Sequence, residues 1–144
     1  MNRLPGVAFL CTANSCRSQM AEGWLRHLHG ARVRAFSAGT APGQLNALAV
    51  RAMAEAGVDI AGHASKALGA LPLDQIDLLI TVCGDAQDRC PVVPGKRMVH
   101  QGFDDPPRLA AGAVSDEAAM PHYRRVRDEI RAFVQERLPA LLQT

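Results

Sequence analysis

Apolar and polar positions along the chain follow two periods in turn, which predicts strands alternating with helices. Residues 7–10 form an unbroken apolar run ahead of a polar loop, typical of a strand covered on both faces. The helix predicted after that loop ends at Gly30, and its apolar positions recur at helical spacing: Met20, Ala21, Trp24, Leu25 and Leu28.

The alternation continues to the end of the chain. Residues 33–38 predict a second strand, 76–82 a third and 97–100 a weaker fourth. A helix ending at Gly57 lies between the second and third strands, and a long C-terminal helix is predicted from the apolar stripe between Tyr123 and Leu141. Residues 105–121, rich in Pro, Gly and Ala, predict a long mobile loop.

This order of elements indicates an α/β fold. Strands joined through helices imply right-handed crossovers and a parallel sheet with helices on both faces, a three-layer sandwich. With 144 residues, 48% of them hydrophobic, we expect one domain spanning residues 1–144.

Charge, hydropathy and cysteine content restrict the classes of function that we expect. The net charge is +2 and the basic residues are dispersed, so we expect no nucleic-acid partner. No apolar run approaches membrane-spanning length and the N-terminus lacks the hydrophobic stretch of a signal peptide, so we expect a cytoplasmic protein without membrane contact. Thiols stay reduced in that compartment, and the four cysteines therefore indicate chemistry or metal binding more than structural disulfides.

Reactive side chains follow three of the four predicted strands. Cys11 follows the first, Cys83 the third, and Asp104 and Asp105 the fourth. Ligands of open parallel sheets bind outside the carboxyl ends of the strands, so these groups should converge at one edge.

The segment CTANSCRS, residues 11–18, has the character of an anion-binding loop. Its residues are small, so that backbone N–H groups can turn inward, and the helix beginning near Arg17 directs its positive end at the same place. Arg17 adds a planar fork for two oxygens of a tetrahedral anion. The pattern C-x5-R-S lacks the G-x4-G-K of nucleotide-binding loops. The predicted substrate-binding residues are Thr12, Ala13, Asn14, Ser15, Cys16 and Arg17.

Cys11 is the predicted nucleophile and should be a thiolate. The helix dipole contributes only about 0.3 to 1 kcal/mol, so the loop amides and Arg17 must supply the remaining stabilisation. Ser18 could cap the helix or donate a hydrogen bond to the sulfur. Asp105 is the predicted general acid, ahead of Asp104, because the following proline favours an extended backbone that limits where its carboxyl points. The Asp pair could instead form only a turn.

The segment CGDAQDRC raises the question of a Cys83–Cys90 disulfide. A fully helical segment would separate the two Cα atoms by roughly 10 Å, whereas a disulfide needs less than about 7 Å. Gly84, Asp85 and Asp88 are mediocre helix formers and Pro91 blocks continuation. We hypothesise that this segment is helical when reduced and looped when oxidised.

Several segments together resemble the thioredoxin-coupled arsenate reductases, which share the fold of low-molecular-weight tyrosine phosphatases. They are FLCTANSCRSQMAEGW, FSAGT, ITVCGDAQDRCPVVPG, GFDDP and YRRVRDEI, and they span nearly the whole chain. The resemblance implies a four-stranded parallel sheet of order 2-1-3-4. The C-x5-R-S loop alone would indicate the wider phosphatase superfamily, and the added cysteine pair is what makes the resemblance specific.

The resemblance also implies a three-thiol relay serving arsenic detoxification. Cys11 would attack arsenate with Arg17, Ser18 and Asp105 assisting, Cys83 and then Cys90 would resolve the adduct, and external thioredoxin would reduce the final disulfide. Phosphate and sulfate would compete with arsenate. We expect no bound cofactor, no metal and a monomeric protein. A glutaredoxin or another thiol system could replace thioredoxin.

One position departs from the family pattern. Members that bind potassium beside the loop use an asparagine, a glutamate, a serine and an aspartate. Asn14, Glu22 and Ser37 match, but Lys66 replaces the aspartate. We therefore expect turnover that is independent of potassium.

Other interpretations remain open at this stage. Cys16 could be a buried filler or the partner of Cys11 in a protective disulfide. The four cysteines could hold zinc, although their spacing differs from that of short zinc knuckles. His63, His100 and His122 are expected to be solvated or structural. The rival functions are a low-molecular-weight tyrosine phosphatase and a zinc-held or arsenic-sensing binding module.

Overall fold

The computed structural model describes residues 3–83 and 93–143. Four parallel strands form one sheet of order β2-β1-β3-β4: β1 (Gly6–Cys11), β2 (Arg34–Gly39), β3 (Leu78–Cys83) and β4 (Met98–Phe103). The α-helices are α1 (Arg17–His29), α2 (Ala47–Glu55), α3 (Pro106–Leu109), α4 (Asp116–Ala132) and α5 (Leu138–Leu141). The expected strands and their order are confirmed.

The two faces of the sheet are covered differently in the described residues. Alternate side chains of β1 enter a large core shared with α1, α2 and α4, whose largest members include Phe9, Trp24 and Met120. The opposite side chains of β1 pack in a smaller core with Leu71, beside two 3₁₀ turns, Leu68–Ala70 and Leu73–Gln75. No helix in the described part of the chain is long and apolar enough to cross a membrane.

The prediction of a long loop over residues 105–121 was wrong. α3 begins directly after Asp105, and α4 begins at Asp116 behind Ser115, whose hydroxyl accepts from the Ala118 N–H at 3.1 Å. Acidic residues in the first turn of α4 favour the start of the helix. Pro121 lies inside α4 at the cost of one backbone hydrogen bond, which the buried face of the helix offsets.

The C-terminal helix is also less regular than its apolar stripe predicts. α4 passes into a π-helical turn, Phe133–Arg137, before α5 begins. The extra residue per turn keeps Phe133, Val134 and Leu138 buried against the sheet.

Candidate active site

The loop between β1 and α1 is held from outside by hydrogen bonds to its carbonyl oxygens. The donors are Ala41 N–H to Thr12 (2.9 Å), Gly43 N–H to Ala13 (3.0 Å), Ser65 Oγ to Asn14 (2.7 Å) and Asn46 N–H to Ser15 (2.9 Å). No described peptide bond is cis, and the C=O and the next N–H point in opposite directions across a trans peptide. The amides of residues 13–16 therefore point away from these donors.

Those amides have the orientation that the predicted anion cradle would need. None of the four donates to an acceptor among residues 3–83 and 93–143. Asn14 has a positive φ of 50°, which turns the chain tightly enough for successive N–H groups to converge. α1 begins at Arg17 and adds the positive end of its dipole.

A cavity of about 340 Å³ opens over this loop. Its lining residues are Cys11, Thr12, Ala13, Ser15, Cys16, Arg17, Asp105 and Pro107. The buried Thr12 hydroxyl is the one side-chain oxygen or nitrogen of the described residues that is buried without a hydrogen-bond partner. Such a group is costly to leave unpaired.

Arg17 and Asp105 both line the cavity. Arg17 is buried, donates from Nη1 to the Phe103 carbonyl at 3.1 Å, and places Nε 3.7 Å from Asp105 Oδ1. The Asp105 backbone is extended, as the Asp-Pro pair predicts. Asp104 points instead to α4, where its carboxylate accepts from Arg125 Nη2 at 2.9 Å.

Cys11 lies at the end of a chain of oriented hydrogen bonds. Its Sγ is 2.9 Å from Ser18 Oγ, which accepts from Asn14 Nδ2 at 2.8 Å, so the Ser18 proton is available to the sulfur. Asn14 Oδ1 in turn accepts from Gln19 Nε2 at 3.0 Å. From Gln19 to Ser18, each link of this chain pairs a donor with an acceptor.

His63 completes the chain. Its Nε2 lies 2.9 Å from Arg26 Nη1, which can only donate, so Nδ1 carries the ring proton and donates to Gln19 Oε1 at 2.9 Å. Burial lowers the pKa of His63, and the neighbouring Arg26 and Lys66 lower it further against the opposing effect of Glu22. The neutral ring is thus a fixed part of the network.

The buried carboxylate of Glu22 lies beside this network and is already surrounded by donors. Ser37 Oγ donates to it at 2.5 Å and Arg26 Nη2 at 2.7 Å, while Lys66 Nζ lies 3.9 Å away. Asn14 Oδ1 accepts from the Lys66 backbone N–H as well as from Gln19. These residues do not fit a potassium ion, because the oxygens that would bind it are occupied and cationic side chains adjoin them.

Cys16 is buried next to Cys11 and forms no disulfide. Burial raises the pKa of the Cys16 thiol, with smaller contributions from the charges of Asp105 and Cys11. Cys16 therefore remains protonated at neutral pH.

Cys83 ends β3, the neighbour of β1 in the sheet. The register between β3 and β4 shifts between Thr81 and Cys83, and Val82 and Cys83 both pack in the core cluster that contains Cys11. The extra residue of this irregularity lies in β4, where three steps from His100 to Phe103 oppose two steps from Thr81 to Cys83. Cys90 and the hypothesised redox-switched helix lie outside the described residues.

No three His, Cys, Asp or Glu side chains within residues 3–83 and 93–143 converge as metal ligands.

Sequence reasoning missed the residues that hold the loop in place. Gln19 and His63 orient Asn14, while Ala41, Gly43, Asn46 and Ser65 anchor the loop carbonyls, and Gly39 lies directly beneath the loop. The glycine in FSAGT was the available signal, because a Cβ there would meet loop backbone. The backbone donors carry no signal in their side chains.

Comparison with known proteins agrees with this geometry. Residues 6–144 match the family described as low molecular weight phosphotyrosine protein phosphatase. An arsenate reductase of Bacillus subtilis (strain 168) is 46% identical over 131 residues, covering 90% of this chain and 92% of that protein.

Solved structures give the same result. An arsenate reductase in its phosphate-binding state superposes with a TM-score of 0.76 at 26% identity, covering 95% of this chain and 98% of the other. The thioredoxin-dependent arsenate reductase of Corynebacterium glutamicum has a TM-score of 0.71 at 27% identity, covering 99% of this chain and 64% of the other. The chain belongs to the low-molecular-weight phosphotyrosine protein phosphatase family, and the relatives that it matches over most of its length include arsenate reductases.

Proposed function

We propose that this protein is an arsenate reductase that works through Cys11, Cys83 and Cys90 and is regenerated by thioredoxin. The observation that carries the proposal is the pairing of an oxyanion loop at the end of β1 with a second thiol at the end of the adjacent β3. The names of the relatives support arsenate as the substrate.

The first step uses the groups around the cavity. The Cys11 thiolate attacks arsenic(V) held by the loop amides and Arg17, an As–S bond forms, and water leaves with a proton from Asp105. Ser18 stabilises the thiolate before the attack. Asp105 suits the acid role because it lines the cavity beside Arg17.

The second and third steps transfer two electrons from thiols to arsenic. Cys83 attacks Sγ of the Cys11 adduct, a Cys11–Cys83 disulfide forms, and the electron pair of the As–S bond stays on arsenic, which leaves as arsenite. Cys90 then attacks Cys83 and releases Cys11 as a thiolate. The dithiol of thioredoxin reduces the resulting Cys83–Cys90 disulfide.

Phosphatase activity needs only Cys11, Arg17 and Asp105 and is the rival function. An aryl phosphate would need an apolar wall for its ring, but no aromatic side chain is among the described residues that line the cavity. Pro107 occupies the position after the Asp-Pro pair, where the tyrosine phosphatases tend to carry aromatic residues.

A single-turnover assay separates the steps. Reduced Cys90→Ser should release up to one equivalent of arsenite and stop at the Cys11–Cys83 disulfide, whereas Cys83→Ser should release none. Both should fail in the multiple-turnover assay with thioredoxin, thioredoxin reductase and NADPH. Cys16→Ser serves as the matched thiol control. Sustained arsenate turnover by Cys83→Ser, or hydrolysis of aryl phosphates as the dominant activity of the native protein, would contradict the proposal.

A further inference from the structure

Two residues that the proposed relay does not use, Asn46 and Tyr123, connect the loop of residues 11–18 to α4. Asn46 makes three kinds of hydrogen bond: its N–H donates to the Ser15 carbonyl at 2.9 Å, its Oδ1 caps α2 by accepting from Leu48 and Ala49, and its Nδ2 donates to the Tyr123 hydroxyl at 3.1 Å. Both ends of the Asn46 amide are therefore fixed.

The Ser15 carbonyl determines where the next amide points. Because Ser15 O faces Asn46, the N–H of Cys16 faces the opposite way across the trans peptide, on the side of the cavity. Any rotation of this peptide would present a carbonyl oxygen to the bound anion instead of a donor. The position of Asn46 thus determines whether the Ser15–Cys16 peptide presents its N–H or its C=O to the bound anion.

Tyr123 supplies the fixed end of this connection. Its ring is buried in the large core. Burial is the main factor that raises the pKa of the phenol, so the hydroxyl stays protonated and neutral. Phe103 and Phe133 are buried in the same core without a hydroxyl.

α4 is also connected to the segment that carries Asp105. Arg125, on the same helix as Tyr123, donates to Asp104 at 2.9 Å, one residue before the predicted acid. The helix is therefore linked to the loop through Asn46 and to this segment through Arg125. We propose that Tyr123 and Asn46 are a positioning pair that fixes the Ser15–Cys16 peptide for oxyanion binding, an inference that rests on the proposed function only for its consequence in arsenate reduction.

The test uses Tyr123→Phe, Asn46→Ser and the double variant, with inorganic phosphate as the probe. Serine retains a cap for α2 and the backbone N–H but is too short to reach Tyr123. Phosphate affinity is measured by protection of Cys11 from alkylation. We expect about a three- to tenfold weaker affinity in each single variant, since one buried hydrogen bond is lost. The double variant should equal the single variants, because both changes remove the same bond.

Ser115→Ala is the matched control. It removes the cap of α4 and should lower thermal stability as much as Tyr123→Phe does, yet leave phosphate affinity unchanged. Equal phosphate affinity in native protein and Tyr123→Phe, or additive losses in the double variant, would overturn the positioning pair.

Arsenate kinetics distinguish this inference from the proposed function. If the native protein reduces arsenate, Tyr123→Phe should raise KM by the same factor with little change in kcat, because the loop amides hold the anion in both the ground and transition states. A fall in kcat with unchanged KM would overturn the positioning role. If the native protein does not reduce arsenate, the proposed function fails, and the phosphate measurement alone decides on the pair.

Discussion

The methyl group that Gly39→Ala adds should displace the loop of residues 11–18. Gly39 ends β2 beneath the loop, its N–H donates to the Lys66 carbonyl at 2.8 Å, and it pairs with Cys11 in the parallel ladder. A Cβ there would lie 2.4 Å from Thr12 O, 2.9 Å from Asn14 N and 3.0 Å from Cys11 O. All three are backbone atoms, so no side-chain rotation can relieve the contact.

The size of the effect follows from these distances. Real Cβ contacts are essentially never shorter than 3.0 Å, so Thr12 O must move by 0.6 Å or more from its 2.4 Å position. The movement displaces the peptide that aims the Ala13 N–H into the cradle. Because a misplacement of ~1 Å can cost about 10²-fold in rate, we expect kcat/KM for arsenate to fall by roughly 10- to 10²-fold in Gly39→Ala. Overpacking should also cost about 1–3 kcal/mol of stability.

The assay couples arsenate reduction to NADPH through thioredoxin and its reductase, with phosphate protection of Cys11 as a second measurement. Gly69→Ala is the control, because a Cβ at this exposed glycine meets nothing within 4 Å. A Gly39→Ala protein with native kcat/KM and native phosphate affinity would refute the steric argument, since it would show that the loop geometry tolerates the displacement.

Four further outcomes are expected. Ser18→Ala should slow alkylation of Cys11 at neutral pH about tenfold, because the thiolate loses a hydrogen bond. The same dependence of the alkylation rate on pH in the variant and the native protein would contradict this. Mass spectrometry after brief alkylation should find Cys11 modified and Cys16 intact, because burial raises the pKa of Cys16, and equal labelling would contradict this. Exchanging sodium for potassium at constant ionic strength should leave turnover unchanged, since cationic side chains already adjoin the buried carboxylate; clear activation would contradict it. The hydrogen bond from Arg3 lowers the pKa of Asp77, so Asp77→Asn should lower the urea midpoint at neutral pH, and the difference should vanish as acid protonates Asp77; a difference that persists in acid would exclude the charge as its cause.

The sequence predicted the parts of the site that are encoded locally. The nucleophile, the loop and the start of α1 lie within eight consecutive residues, so their spacing carries the geometry. The positions of Cys83 and Asp105 followed from a general rule about the carboxyl edge of parallel sheets. Strand order required the family resemblance, because hydrophobic periodicity identifies strands but does not determine which of them are neighbours.

The supporting parts could not be predicted in this way. Residues 41–46 hold the loop through backbone N–H groups, which every residue except proline possesses, so no residue type marks the role. His63 reaches the loop through Gln19, 44 positions earlier in the chain. Residues 105–121 were misread because Pro and Gly outweighed the cap of α4, whose buried face offsets the lost hydrogen bond at Pro121.

The order of the strands explains how one fold can serve two chemistries. A phosphatase needs only the thiol on β1. Cys83 ends the adjacent strand β3 and packs in the core cluster that contains Cys11. Strand order 2-1-3-4 makes β3 the direct neighbour of β1. The resolving step that we propose thus needs one cysteine at the end of β3 added to an existing oxyanion loop. Cys16, although next to Cys11, stays a buried thiol because burial and the charges of Asp105 and Cys11 outweigh the effect of Arg17.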